Sequence, residues 1–134
     1  MQENNAKILI KNRQKTEDGD EVLTVDVPCR FMFKGDTAYI LYKDEGVSSK
    51  IKTDGGTVTV TRMGEFSNEM VYQKGKKTSF LYKMPYGTLD MELRTNEVFV
   101  DLSENGGTIK LSYELLFSGT GSKNSMEITV KKLS

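Results

Sequence analysis

Apolar and polar residues alternate with a period of two along almost the whole chain. Between residues 23 and 33 the odd positions Leu23, Val25, Val27, Cys29, Phe31 and Phe33 are apolar, and the even positions carry Thr24, Asp26, Pro28 and Arg30. Successive side chains of a strand point to opposite faces, so this pattern predicts one long strand with one face buried. Pro28 has no N–H for the ladder, and an edge position, a bulge or a bend is expected there. The same alternation predicts strands over 6–14, 37–45, 47–53, 57–63, 64–73, 78–84, 108–117 and 125–133. In the stretch 84–95, MPYGTLDMELRT, Leu89, Met91 and Leu93 face in while Asp90, Glu92 and Arg94 face out. Beyond it the apolar parity moves to Val98, Val100 and Leu102. This phase change near Thr95–Glu97 predicts a bulge or a turn.

Glycine-rich punctuation separates these segments: TEDGDE, KGD, DGG, KGKK, ENGG and SGTGS. Glycine supplies the positive φ that tight hairpin turns require. The same clusters lack the spacing and the following helix of a phosphate-binding loop, so hairpins are the reading here. Pro85, Tyr86 and Gly87 read as a corner between strands at Phe80–Lys83 and Thr88–Arg94. Pro85 and Gly87 are its structural residues, since proline fixes φ and glycine permits a sharp bend. Consecutive hairpins make a meander, and a large open meander leaves edges to protect. The expected fold is therefore all-β: one antiparallel up-and-down barrel of about eight to ten strands, with a sandwich as the competing arrangement.

Composition narrows the picture. The chain has 134 residues, 37% hydrophobic and 28% charged, which fits one globular domain across residues 1–134. Nineteen basic residues balance nineteen acidic ones, which argues against a broad nucleic-acid footprint. Cys29 is the only cysteine, so an internal disulfide is excluded. The opening MQENNAKILIKNRQ has no apolar signal region, and no apolar run reaches membrane-spanning length; a cytoplasmic protein without a membrane span is expected. Histidine is absent, which removes Ser-His-Asp and Cys-His catalysis as well as His-ligated zinc and haem. No cofactor, metal site or catalytic constellation is visible.

The informative polar residues are those that break the apolar parity. Arg62 shares the parity of Val58 and Val60, which places a charge on their apolar face. An inward arginine needs a carboxylate or a ligand anion, whereas a strand-end arginine snorkels to solvent. Tyr82, Tyr86 and Tyr113 are the aromatics placed to line a barrel interior or its mouth; as stacking platforms for single-stranded nucleic acid they lack basic flanks. With Arg62 they form the candidate ligand-binding set. Cys29 lies in an apolar register with Arg30 on the opposite face, so a buried structural thiol is expected rather than a reactive one. Asp90, Glu92 and Arg94 share one outward face, and a solvated charge ladder accounts for them more simply than paired acid–base chemistry.

The run YILYKDE, SSKIKTDGGTVTVTRMGEFSNEMVYQKGKKTSFLYKMPYGTLDMELRT and GGTIKLSYEL resembles the YwiB-like, DUF1934 family of small bacterial proteins over roughly residues 20–131. The marks are R-x-G at Arg62–Gly64, Pro-Tyr-Gly at 85–87, Thr95, and GG-x-I-x-L-x-Y at Gly106–Tyr113. Met84 stands where the family usually has threonine, and Tyr72 supplies the aromatic of the following strand. The resemblance implies a calycin-type, lipocalin-like barrel of a kind found mainly in Firmicutes, and it implies no activity. The Gly-x-Trp start and secretion signal of lipocalins proper are missing, so secreted carriage is not implied.

Two readings of function follow. One is a barrel that binds a small-molecule ligand in its interior or at its mouth. The other is a non-enzymatic structural or protein-interaction module with a filled barrel, with a homodimer as one form of it. A His-independent enzyme is the weaker third, so the protein is expected not to be an enzyme.

Overall fold

The computed structural model describes residues 4–118 and 120–133. Gly119 of the predicted SGTGS turn and the first three residues of the N-terminal stretch lie outside them. The described chain forms ten strands: β1 (Ala6–Thr16), β2 (Gly19–Lys34), β3 (Thr37–Asp44), β4 (Val47–Asp54), β5 (Thr57–Met63), β6 (Asn68–Gln73), β7 (Lys77–Met84), β8 (Gly87–Ser103), β9 (Gly106–Phe117) and β10 (Thr120–Lys132). All pair antiparallel in one sheet of order β6-β5-β4-β3-β2-β1-β10-β9-β8-β7. Every ladder joins sequence neighbours except β1–β10, where the two ends of the chain come together from Ala6↔Lys132 to Lys15↔Lys123.

The one seam left is between β6 and β7. There Ser67 and Lys83 each donate a backbone N–H to the other's carbonyl, at 2.9 and 2.8 Å. Further along, Gly75 N–H donates to the Thr95 carbonyl at 2.9 Å and Thr95 N–H to the Lys76 carbonyl at 3.0 Å. The sheet is thus a nearly closed ten-stranded antiparallel barrel, which hides most of the backbone donors that an open edge would expose.

Two predicted boundaries move for local reasons. The strand expected from residue 64 begins at Asn68, because Ser67 Oγ accepts from Gly64 N–H and donates to the Gly64 carbonyl, closing a small loop. The segments either side of Thr95 are one strand of 17 residues, β8, with a register shift between Thr95 and Glu97. The phase change is therefore a bulge and not a turn, and the extra residue carries the apolar parity from Leu93 to Val98. Pro28 sits where β2 outruns β3: β2 pairs β1 from Gly19 to Cys29 but pairs β3 only from Cys29 onward. It therefore lies at a local edge inside a central strand, where a missing N–H costs little.

The interior is built from the inward parity of each strand. Ala6 and Ile8 of β1, Cys29 and Phe31 of β2, Ile40 of β3, Ile51 of β4, Val58 and Val60 of β5, Ile109 of β9 and Ile128 of β10 are all buried. The same inward rows then turn polar: Ser49, Asn68, Thr95 and Asn124 are buried too. So the barrel has a packed apolar part and a part lined with polar groups.

Candidate functional site

A cavity of about 750 Å³ opens at one end of the barrel. Its wall takes Ile10 and Asn12 from β1, Leu23 and Val25 from β2, Tyr42 from β3, Ser49 from β4, Arg62 from β5, Tyr82 from β7 and Met126 from β10. The turn Asp44–Val47 and the loop residues Glu65 and Phe66 form its rim. That rim is fixed by Gly64: its φ is +153°, and a Cβ there would meet the Gly46 carbonyl oxygen at 3.2 Å. Only glycine lets the β5–β6 loop lie so close against the β3–β4 turn. Phe66 and Tyr82 meet across the seam with ring centroids 6.2 Å apart.

Arg62 occupies the inward row of β5 with Val58 and Val60, between Ser49 of β4 and Asn68 of β6. It is half-buried, and among the described residues no carboxylate lies within ion-pair distance of it; the three ion pairs present, Lys7–Asp26, Lys74–Glu97 and Lys77–Glu92, are on the surface. Its charge is felt by two phenols behind the cavity. Tyr72 and Tyr113 pack edge to face at 4.9 Å and are almost wholly buried. Burial holds Tyr72 well above the usual tyrosine range, with the neighbouring Tyr113 adding to it and Arg62 opposing. Tyr113 is also raised by burial, against hydrogen bonding from Tyr72 and the charge of Arg62. Both hydroxyls therefore stay protonated and remain donors. The Asn12 side chain faces Tyr113, and its Oδ1 is buried without a partner, as are Asn68 Oδ1 and Thr95 Oγ1.

Of the predicted ligand residues, the fold brings Arg62 and Tyr82 to one cavity wall and sets Tyr113 behind Arg62. Tyr86 leaves the set. It is 82% exposed and lies off the cavity wall, because Pro85 and Tyr86 are the two loop residues beyond the last pair Met84↔Gly87 and project past the barrel end. The corner reaches the cavity only through Tyr82 of the preceding strand. Gly87 has no positive φ and open space beside it, so the turn does not demand glycine there. Asn12, Ser49 and Tyr42 were not singled out by sequence. Asn12 carried the same signal as Arg62, a polar side chain continuing the buried row Ala6, Ile8, Ile10.

Elsewhere the chemistry is bland. Cys29 is fully buried, and burial pushes its thiol up to about 11. Glu92 pairs Lys77 at 2.9 Å, while Asp90 and Arg94 are exposed. A separate hollow of about 560 Å³ on the outer face, bordered by Arg30, Leu41, Lys50 and Met63, holds none of the predicted site residues.

The buried thiol and phenols set an expected pH response. Their folded pKa values lie above the unfolded ones, so their contribution to stability is complete below about pH 9. It is lost as pH rises, because the unfolded chain releases these protons first. The shift of Cys29 from 9.0 to about 11 corresponds to about 3 kcal/mol. Urea midpoints should hold level near neutrality and fall steadily above about pH 9. In the native state Cys29 should resist iodoacetamide at mildly alkaline pH and react once urea unfolds the chain. Rapid alkylation of the native protein would contradict this.

The family model for DUF1934, a domain of unknown function, matches residues 8–129. The chain belongs to this family. DUF1934 thus covers both walls of the cavity, from Ile10 to Met126. A curated relative is the uncharacterized beta-barrel protein YwiB of Bacillus subtilis, 26% identical over 118 residues, covering 85% of this chain and 83% of the relative. The crystal structure of the ywiB protein from Bacillus subtilis superposes with a TM-score of 0.89 at 22% identity, covering 98% of this chain and 93% of that one. At that identity the likeness shows the shared barrel.

Proposed function

We propose that this DUF1934 barrel, read as a calycin-like container, binds a small molecule in its open end. The observation that carries this is the cavity of about 750 Å³ with the half-buried Arg62, unpaired among the described residues, and Asn12 in its wall. That size lies within the range of small-molecule sites, which are mostly apolar with a few converging polar groups. A half-buried guanidinium without a partner is costly, and an acceptor on a ligand supplies the missing hydrogen bonds. Binding is favoured over catalysis because Tyr72 and Tyr113 are held protonated by burial, the opposite of what a general base requires.

The test is titration with N-phenyl-1-naphthylamine, a neutral apolar dye that brightens in dry surroundings. The expected result is saturable binding of one dye per chain. Val25 is half-buried in the cavity wall, and Val25→Trp should plug the site and weaken dye binding at least tenfold while leaving the far-UV spectrum unchanged. Absence of saturable binding, or undiminished binding to the folded plugged variant, would sink the reading.

A further inference from the structure

We infer that the ligand of this cavity is an amphiphilic monocarboxylate whose carboxylate is held by Arg62. This rests on the small-molecule reading above and adds the chemistry of the ligand. Arg62 points inward from β5, half-buried, and no described carboxylate pairs with it. A partly desolvated guanidinium is costly unless an anion neutralises it. No counterion lies behind it either: the phenols of Tyr72 and Tyr113, which its charge reaches, are kept neutral by burial. A cation without a partner is complementary to an anion, and the planar fork of arginine matches the two oxygens of a carboxylate.

The rest of the wall specifies the remainder of the molecule. Ile10, Leu23, Val25, Phe66, Tyr82 and Met126 present apolar surface, which suits a hydrocarbon or aromatic body. The rim decides how many charges the head carries. Asp44, Glu45 and Glu65 border the same cavity, so the mouth is negative while a single positive charge lies within. One negative charge on the ligand is balanced by Arg62; a second would face three carboxylates with nothing to offset it. A monocarboxylate therefore fits better than a phosphate monoester. A cationic amphiphile would be drawn to the rim but repelled by Arg62.

The experiment is displacement of the same neutral dye by decanoate, decanol, decyl phosphate and decylamine, each below its micelle concentration, at neutral pH. In the wild-type protein decanoate should displace the dye at least tenfold more effectively than decanol, and more effectively than decyl phosphate or decylamine. In Arg62→Met the ratio of decanoate to decanol should fall to within about twofold of unity, and Arg62→Lys should recover part of it. The inference is overturned if decanol matches decanoate in the wild type, if decylamine or decyl phosphate binds best, or if the preference survives in Arg62→Met. In each of those cases the dye still binds, and the small-molecule reading stands. Failure of the dye and of all four compounds to bind overturns both. The wild-type comparison needs no variant, so it decides even if Arg62→Met does not fold.

Discussion

Gly107→Ala will abolish folding or cost at least about 3 kcal/mol, a large part of the stability of a domain this size. Gly107 has a φ of +146°, and an added Cβ would be driven into the Asp101 carbonyl oxygen and lie 3.0 Å from the Leu102 Cα. The obstacle is backbone on both counts, in the β8 strand that pairs Leu102↔Gly107, so no side-chain rotation relieves it. Gly106 has the same problem against the Val130 carbonyl of β10. The glycine pair thus lets the start of β9 lie pressed between its two neighbours. Soluble expression and urea unfolding of Gly107→Ala, with Gly56→Ala as a control in open space, measure the effect. A loss below about 1 kcal/mol would show that the strand start shifts freely.

Tyr72→Ala will cost about 3–5 kcal/mol, the range for deleting a large buried aromatic. Tyr72 is 1% exposed and among the largest fully buried side chains. It packs on Tyr113, and its hydroxyl approaches the Met70 sulfur at 3.7 Å. Tyr72→Phe keeps the ring and removes only the hydroxyl, so its cost should be about 1 kcal/mol. The difference between the two variants in urea unfolding separates packing from hydrogen bonding. If Tyr72→Ala costs no more than Tyr72→Phe, the interior behind Arg62 is not a packed core.

Much of this barrel was legible in the chain. Side-chain period depends only on local backbone geometry, so the inward rows of β2, β5 and β8 could be read off directly. The same rule placed a phase change near Thr95–Glu97, which pairing showed to be a bulge and not a turn, and put Arg62 in the row of Val58 and Val60. It also buried Cys29 and left Asp90 and Arg94 in solvent. Parity fails at turns, where no ladder fixes the side chain. Tyr86 looked like a mouth residue and instead projects past the end of the barrel.

The amino-acid sequence by itself determined which side of each strand faces the core and where the chain turns, because both are set by neighbours in sequence. Tertiary structure alone decided the pairing of β1 with β10, the seam closed by Ser67 and Lys83, and the gathering of Arg62, Asn12 and Tyr82 around one cavity. Those contacts join residues far apart along the chain, and alternation is satisfied equally by a filled barrel and by an open one. What distinguishes them is the summed volume of inward side chains around the closed ring, and that sum exists only once the ring has formed.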